Sequence, residues 1–210
     1  MGRRRVSDGE VRNSFVGRMV DRPATNHSTN ALAWGIAWLI IGSIAGWYFW
    51  IMPTSSFGYV VTGYVPLKWH VVVNLVLWVV SCVVLFMLGT FINRKFRTIE
   101  LFGRLLFAHW PVLLLMLPAI LGSRHAYSLF VGGLMQGDMS LTFNIQPMYS
   151  TFMVFFFIAI LLWYLYWSYV AFRKVVGCRG WMNVALFIVA MWLSFELSKV
   201  TVTAMYKEIL

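Results

Sequence analysis

Few side chains in the long apolar runs of this 210-residue chain could do chemistry. Glu196 and Lys199 lie three apart, so a helix places them on one face, where carboxylate and ammonium can neutralise each other. His70 and Asn74, four apart, share a helical face in the same way, and His109 stands just before Trp110 and Pro111. Ionisable and strongly polar groups inside hydrocarbon are costly, which makes these five the candidate intramembrane functional residues. A proton relay or a transporter's substrate site would use such groups. More plainly, Lys199 snorkels outward with Glu196 held beside it, because no other apolar run offers a facing carboxylate or arginine to continue a relay.

Metal and cofactor chemistry find little purchase. His70 and His109 fall near opposite membrane faces, whereas a structural zinc needs about four converging ligands. Bis-histidine heme ligation needs two imidazoles at one depth. Each imidazole is expected instead to meet a backbone carbonyl, an amide or interfacial water. The twelve methionines have no paired spacing and read as gap-fillers. The chain contains no H-E-x-x-H, G-x-S-x-G, phosphate-binding glycine loop or C-x-x-C. No cofactor, no metal and no enzymatic activity are expected.

The elements that must position these residues follow from composition. Sixty per cent of the chain is hydrophobic and 11% charged, against about 45–50% and about 25% in soluble domains, which excludes a soluble enzyme. A helix crossing the hydrocarbon needs about 20 residues. Five segments qualify, at about 31–52, 69–92, 105–122, 150–172 and 181–206. The fold expected is an all-α, polytopic membrane protein, a five-helix bundle whose third helix is kinked by Pro111 and Pro118. These prolines lie seven apart, and each frees a carbonyl one turn earlier. Gly42 and Gly46 form a small-xxx-small pattern in the first span, with Gly35 on the same helix, and predict a packing face.

Direction follows from the basic residues. Arg3, Arg4, Arg5, Arg12, Arg18 and Arg22, then Arg94, Lys95, Arg97 and Arg104, then Arg173, Lys174 and Arg179 give thirteen on one side. Lys68, Arg124, Lys199 and Lys207 give four on the other. Basic loops stay cytoplasmic, so the N-terminus is expected inside and the C-terminus outside. Scattered over three segments, these residues do not form the clustered face that nucleic acid requires, and no nucleic-acid partner is expected. Trp34, Trp47, Trp50, Trp69 and Trp181 sit near span ends as interfacial anchors.

Residues 1–30 form a cytoplasmic segment in which Val11, Phe15 and Met19 recur every four residues among arginines. This suits a short helix on the inner leaflet, or else a plain disordered arm. The first apolar run is too long for a signal-peptide core and is expected to remain as a span. Cys82 lies in an apolar run and Cys178 in a basic loop, so no disulfide is expected. In the external segment 123–149, Gly132, Gly133, Gly137 and Pro147 argue against a continuous helix. Leu141, Phe143 and Ile145 there would suit a short strand or an interfacial dip.

The order of parts resembles the YIP family, the Ypt/Rab-interacting membrane proteins, in a compact bacterial form. The resemblance covers most of the chain from about Phe15. It rests on an inner-face amphipathic segment ending in Arg22-Pro23-Ala24-Thr25, followed by five spans, N-in and C-out. The third span opens with Gly103, Ala108 and Pro111, and the basic turn Arg173-Lys174-Val175-Val176-Gly177-Cys178-Arg179-Gly180 leads into the last. The resemblance implies residues 31–210 as one membrane domain without catalytic chemistry, multi-pass in the bacterial inner (plasma) membrane. Eukaryotic members act with Rab-type GTPases, but their cytoplasmic region is longer than the roughly thirty residues here, so Rab binding is not carried over.

Two functions are compatible with this pattern. The first is a non-enzymatic protein that organises the membrane or scaffolds partners, in contact with membrane lipids and with protein partners or further copies of itself through its spans. The alternative is a small-solute or ion transporter or channel built on the polar residues of spans three and five.

Overall fold

The computed structural model describes residues 28–136, 147–178 and 180–209. The N-terminal arm, Arg179 and the stretch with Leu141, Phe143 and Ile145 lie outside these. Five helical segments, at Asn30–Phe49, Leu67–Ile92, Thr98–Leu121, Pro147–Val176 and Trp181–Lys207, are long and apolar enough to cross a membrane. This is an integral membrane protein with a five-helix bundle. Large apolar side chains such as Ile40, Leu162, Val189 and Trp192 point outward from it, as they do where lipid is the solvent.

Helix α1 covers Ser28–Phe49 and α2 Leu67–Ile92. Between them run two antiparallel strands, β1 (Ile51–Ser55) and β2 (Gly58–Val61). The third span is α3 (Thr98–Ala108), a 3-10 helix over Trp110–Met116 and α4 (Leu117–Leu121). Then follow α5 (Arg124–Gln136), α6 (Pro147–Val176) and α7 (Trp181–Ile209). The third span begins and ends earlier than its apolar run suggests and is the centre of the bundle: more than half of its most apolar stretch is buried, against a third or less for the others.

Its kink takes a specific form. Pro111 and Pro118 lack the N–H that an α-helix needs, and each occupies the first turn of a new element. Between them the chain tightens to 3-10 geometry, so the Leu114 carbonyl that Pro118 cannot serve accepts from the N–H of Leu117. Arg104, counted above among the loop charges, is instead inside α3, buried and bridged to Glu100 at 2.9 Å. In the external segment, α5 runs through Gly132 and Gly133 as far as Gln136, and residues 137–146, with Gly137, lie outside the described residues. Gly132 has open space where a Cβ would go, and α5 packs along β2, so packing outweighs the propensity cost.

The two ends of the bundle differ. At one, Asn93 Nδ2 donates to the Val176 carbonyl at 2.8 Å, tying the α2–α3 loop to the end of α6. The exposed Arg94, Lys95, Arg97, Arg173 and Lys174 gather on this basic face. The opposite end carries the base of the hairpin and α5; we call it the hairpin face.

Candidate functional site

The strands form a re-entrant hairpin. Trp50, with φ of 58°, turns the chain out of α1, and its carbonyl accepts from the Thr62 N–H at 2.8 Å, closing the base. From Ile51 to Ser56 every residue is buried. The tip is Ser56-Phe57, and register is irregular between Pro53 and Ser55. Both tip residues have negative φ, unlike the primed turns that two-residue hairpins favour, and the irregularity at Thr54 accompanies that mismatch.

Non-helical backbone persists at membrane depth only if protein satisfies its polar groups. Here hydroxyls do so. Ser56 N–H donates to Ser198 Oγ at 3.2 Å, and Ser56 Oγ donates to the same oxygen at 2.9 Å. Ser194 Oγ donates to Ser81 Oγ at 2.9 Å, with Ser56 Oγ 3.4 Å from Ser81 Oγ. Tyr206 donates to the Pro53 carbonyl at 2.9 Å, and Tyr127 to those of Leu115 at 3.2 Å and Tyr59 at 3.4 Å. Ser81 lies about 21 Å along α2 from Leu67, at about 1.5 Å per residue, which puts the hairpin tip near mid-membrane.

The tip also parts two helices. Toward the basic face, α6 and α7 meet through Phe187, whose ring lies 5.3 Å from Tyr169 and 5.7 Å from Phe172. Further along, Phe57 stands between them, 5.2 Å from Tyr164 on α6 and 5.4 Å from Phe195 on α7. This wedge leaves a cleft of about 500 Å³ with Thr54, Ser55 and Gly58 at its back and Leu161, Met191 and Trp192 among its walls. Ile188 and Trp192, 56% and 64% exposed, form part of its lining, so it opens sideways toward lipid. Lys199 is the charged residue in that lining. Thr54 Oγ1 is buried and has no hydrogen-bond partner among the described residues.

The candidates from sequence are distributed around this structure. Lys199 lines the cleft and is exposed; Glu196, half-buried, does not line it. Arg104–Glu100 is the ion pair among the described residues, so Glu196 and Lys199 share a helix without bridging. Asn74 donates to Ser43 Oγ at 3.1 Å and to the His70 carbonyl at 2.9 Å, locking α2 to α1. His70 Nδ1 is buried without a hydrogen-bond partner among the described residues. His109 stacks edge-on against Tyr164 at 5.2 Å and lines a small crevice with Asn74, Trp78 and Trp110. The apparent separation of the histidines by depth is thus too large: His109 faces the residue one turn beyond His70. Among the described residues no three His, Cys, Asp or Glu side chains gather as a metal site would need.

Gly42 and Gly46 meet different elements. A Cβ on Gly42 would fall 2.5 Å from Leu113 Cδ2, and one on Gly46 2.7 Å from the Ile51 carbonyl and 3.1 Å from His70 Nδ1. At the basic face, burial pushes the Cys178 thiol above its usual range, with its own backbone and Arg173 pulling it partly back. Cys82 and Cys178 are both free and buried.

The sequence patterns leave Ser56, Ser81, Ser194, Ser198 and Phe57 unmarked. A signal was present, since Ser194 and Ser198 are four apart in an apolar helix and Tyr59-Val60-Val61-Thr62 is a β-prone run beside a Ser-Ser tip. Compared with protein-family models, curated proteins and solved structures, the chain finds no match.

Proposed function

We propose that this is a non-enzymatic integral membrane protein of the YIP type, N-terminus in the cytoplasm, that organises the surrounding membrane or scaffolds partner proteins. The observation that supports this best is where the buried polar groups are committed. Ser56, Ser81, Ser194 and Ser198 bond to one another and hold a hairpin in place. Asn74 locks two helices, and His109 packs edge-on against a tyrosine. An enzyme's titratable groups converge on a reacting atom; these are dispersed. The exposed basic face suits contact with an anionic inner leaflet, in keeping with the bacterial inner membrane.

Chemical crosslinking in native membranes, followed by purification in mild detergent, tests the proposal. The expected result is a reproducible protein adduct, homo- or hetero-oligomeric, or a co-purifying lipid. Recovery only of a lipid-free monomer would overturn it.

The transporter reading keeps one observation in its favour, a non-helical segment lined by hydroxyls at mid-membrane, a feature of some transport sites. Flux into proteoliposomes that is lost in Glu196→Gln would establish it, and an absence of flux across a broad ion and solute panel would remove it.

A further inference from the structure

The cleft between α6 and α7 has the size of a ligand site, which is typically about 300–1,000 Å³. Its walls are apolar and its side opening lies within the membrane-spanning part of both helices, so the medium that meets it is hydrocarbon. Two polar features interrupt it. Lys199 brings a cation to the lining with no ion pair among the described residues, while Thr54 brings a buried hydroxyl with no partner among them at the irregular position of β1. Along α7, Ile188 and Lys199 are about 16 Å apart at about 1.5 Å per residue. Lys199 is the end nearer the hairpin face: it follows Ser198 at about the depth of the hairpin tip, about 15 Å of helix from Ile209, and its side chain reaches from there toward the headgroups of that leaflet. A long apolar slot with a cation at its headgroup end and a hydroxyl at its back is complementary to an amphiphile with an anionic head.

We propose that this cleft is a binding site for an anionic phospholipid of the hairpin-face leaflet, one acyl chain lying along Ile188 to Phe195 and the phosphate held by Lys199. Phe57 keeps the slot open by holding Tyr164 and Phe195 apart, and Gly58 lets the hairpin close behind it, since a Cβ there would come 2.8 Å from Thr54 Oγ1 and 3.0 Å from Ser55 Oγ. The site deepens the membrane-organising function proposed above by naming the lipid class and the place where it is held.

The test uses the full chain in nanodiscs doped with phosphatidylglycerol or phosphatidylcholine carrying the same photoactivatable acyl chain, with adducts mapped by peptide mass spectrometry. Phosphatidylglycerol is expected to label the Leu161, Ile188 and Trp192 region about threefold more than phosphatidylcholine, the size of an interfacial ion pair. Lys199→Met should erase that preference and Lys199→Arg keep it. Leu161→Trp should reduce labelling by both lipids, with Ile188→Trp as a second plug should the first disturb folding. Equal labelling by the two lipids, a preference that survives Lys199→Met, or adducts replaced by contacts to a second protein chain would each overturn the site. Such a failure would leave partner crosslinks in native membranes untouched, so it is distinguishable from failure of the scaffolding reading.

Discussion

Two seams of the bundle are built in opposite ways. Along α1 and the third span the helices are drawn together, because Gly35 and Gly42 remove the side chains that would hold them apart, and further along α1 Gly46 does the same toward the Ile51 carbonyl and His70. Along α6 and α7 they are driven apart, because Phe57 is inserted where they would close. Lipid tails are as apolar as leucine, so helix association in a membrane rests on shape more than on hydrophobicity. Small residues at a seam therefore make contact, and a large ring at a seam makes space. The closed seam carries architecture, and the open one carries the candidate site.

The sharpest way to break this contrast is at Gly46. Gly46→Leu should abolish recovery of folded protein, and Gly46→Ala should cost about 2–3 kcal/mol, the upper range for overpacking, because the Ile51 backbone carbonyl cannot move aside. Gly42→Ala should cost about 1 kcal/mol, since the flexible end of Leu113 can turn away. Thermal unfolding in detergent ranks the three; a Gly42→Ala penalty equal to that of Gly46→Ala would refute the distinction.

At the open seam, Phe57→Ala should cost about 2 kcal/mol through two lost ring contacts and reduced burial. It should also let α6 approach α7, read as a shorter distance between spin labels at positions 158 and 189. An unchanged distance would show that Phe57 is not the wedge. Ser198→Ala should cost about 1 kcal/mol, within the range measured for interhelical hydrogen bonds in membranes. It should also quicken hydrogen exchange at the Ser56 amide, whose donor it leaves unpaired.

The smallest effect is chemical. A buried thiol with a raised pKa is protonated at neutral pH, and the thiolate is the nucleophile. Cys178 should therefore react with maleimide more slowly than a free thiol at pH 7–8 and accelerate only as pH passes above the ordinary thiol range. Because the folded state holds this proton more tightly than the unfolded one, its contribution makes the protein less stable as pH rises through the unfolded thiol's pKa. Labelling at the rate of an exposed peptide thiol would contradict the burial.

The five spans were legible in the sequence because length and apolarity alone decide them, and the third broke where Pro111 and Pro118 said it would. The hairpin was not legible. Pro53-Thr54-Ser55-Ser56 has the composition of a surface connection, and its depth is decided by hydroxyls far away in the chain. Glu196 and Lys199 showed the limit of spacing arguments: three residues apart puts two charges on one face but does not choose which neighbour each one meets. Of the cleft, only Lys199 stood out beforehand, because a charge is conspicuous in an apolar run whereas Leu161, Met191 and Phe195 look like any other lipid-facing or core residue.

The bond between Ser56 and Ser198 joins residues 142 positions apart. During synthesis the hairpin emerges long before its anchor exists, and until the last helix is translated its tip has no Ser198 to hold it at mid-membrane. The bond that fixes the tip is therefore a late event in synthesis, available only once the final span has been made. A chain that stops short of Ser198 would lack the distant anchor of its first inter-span connection.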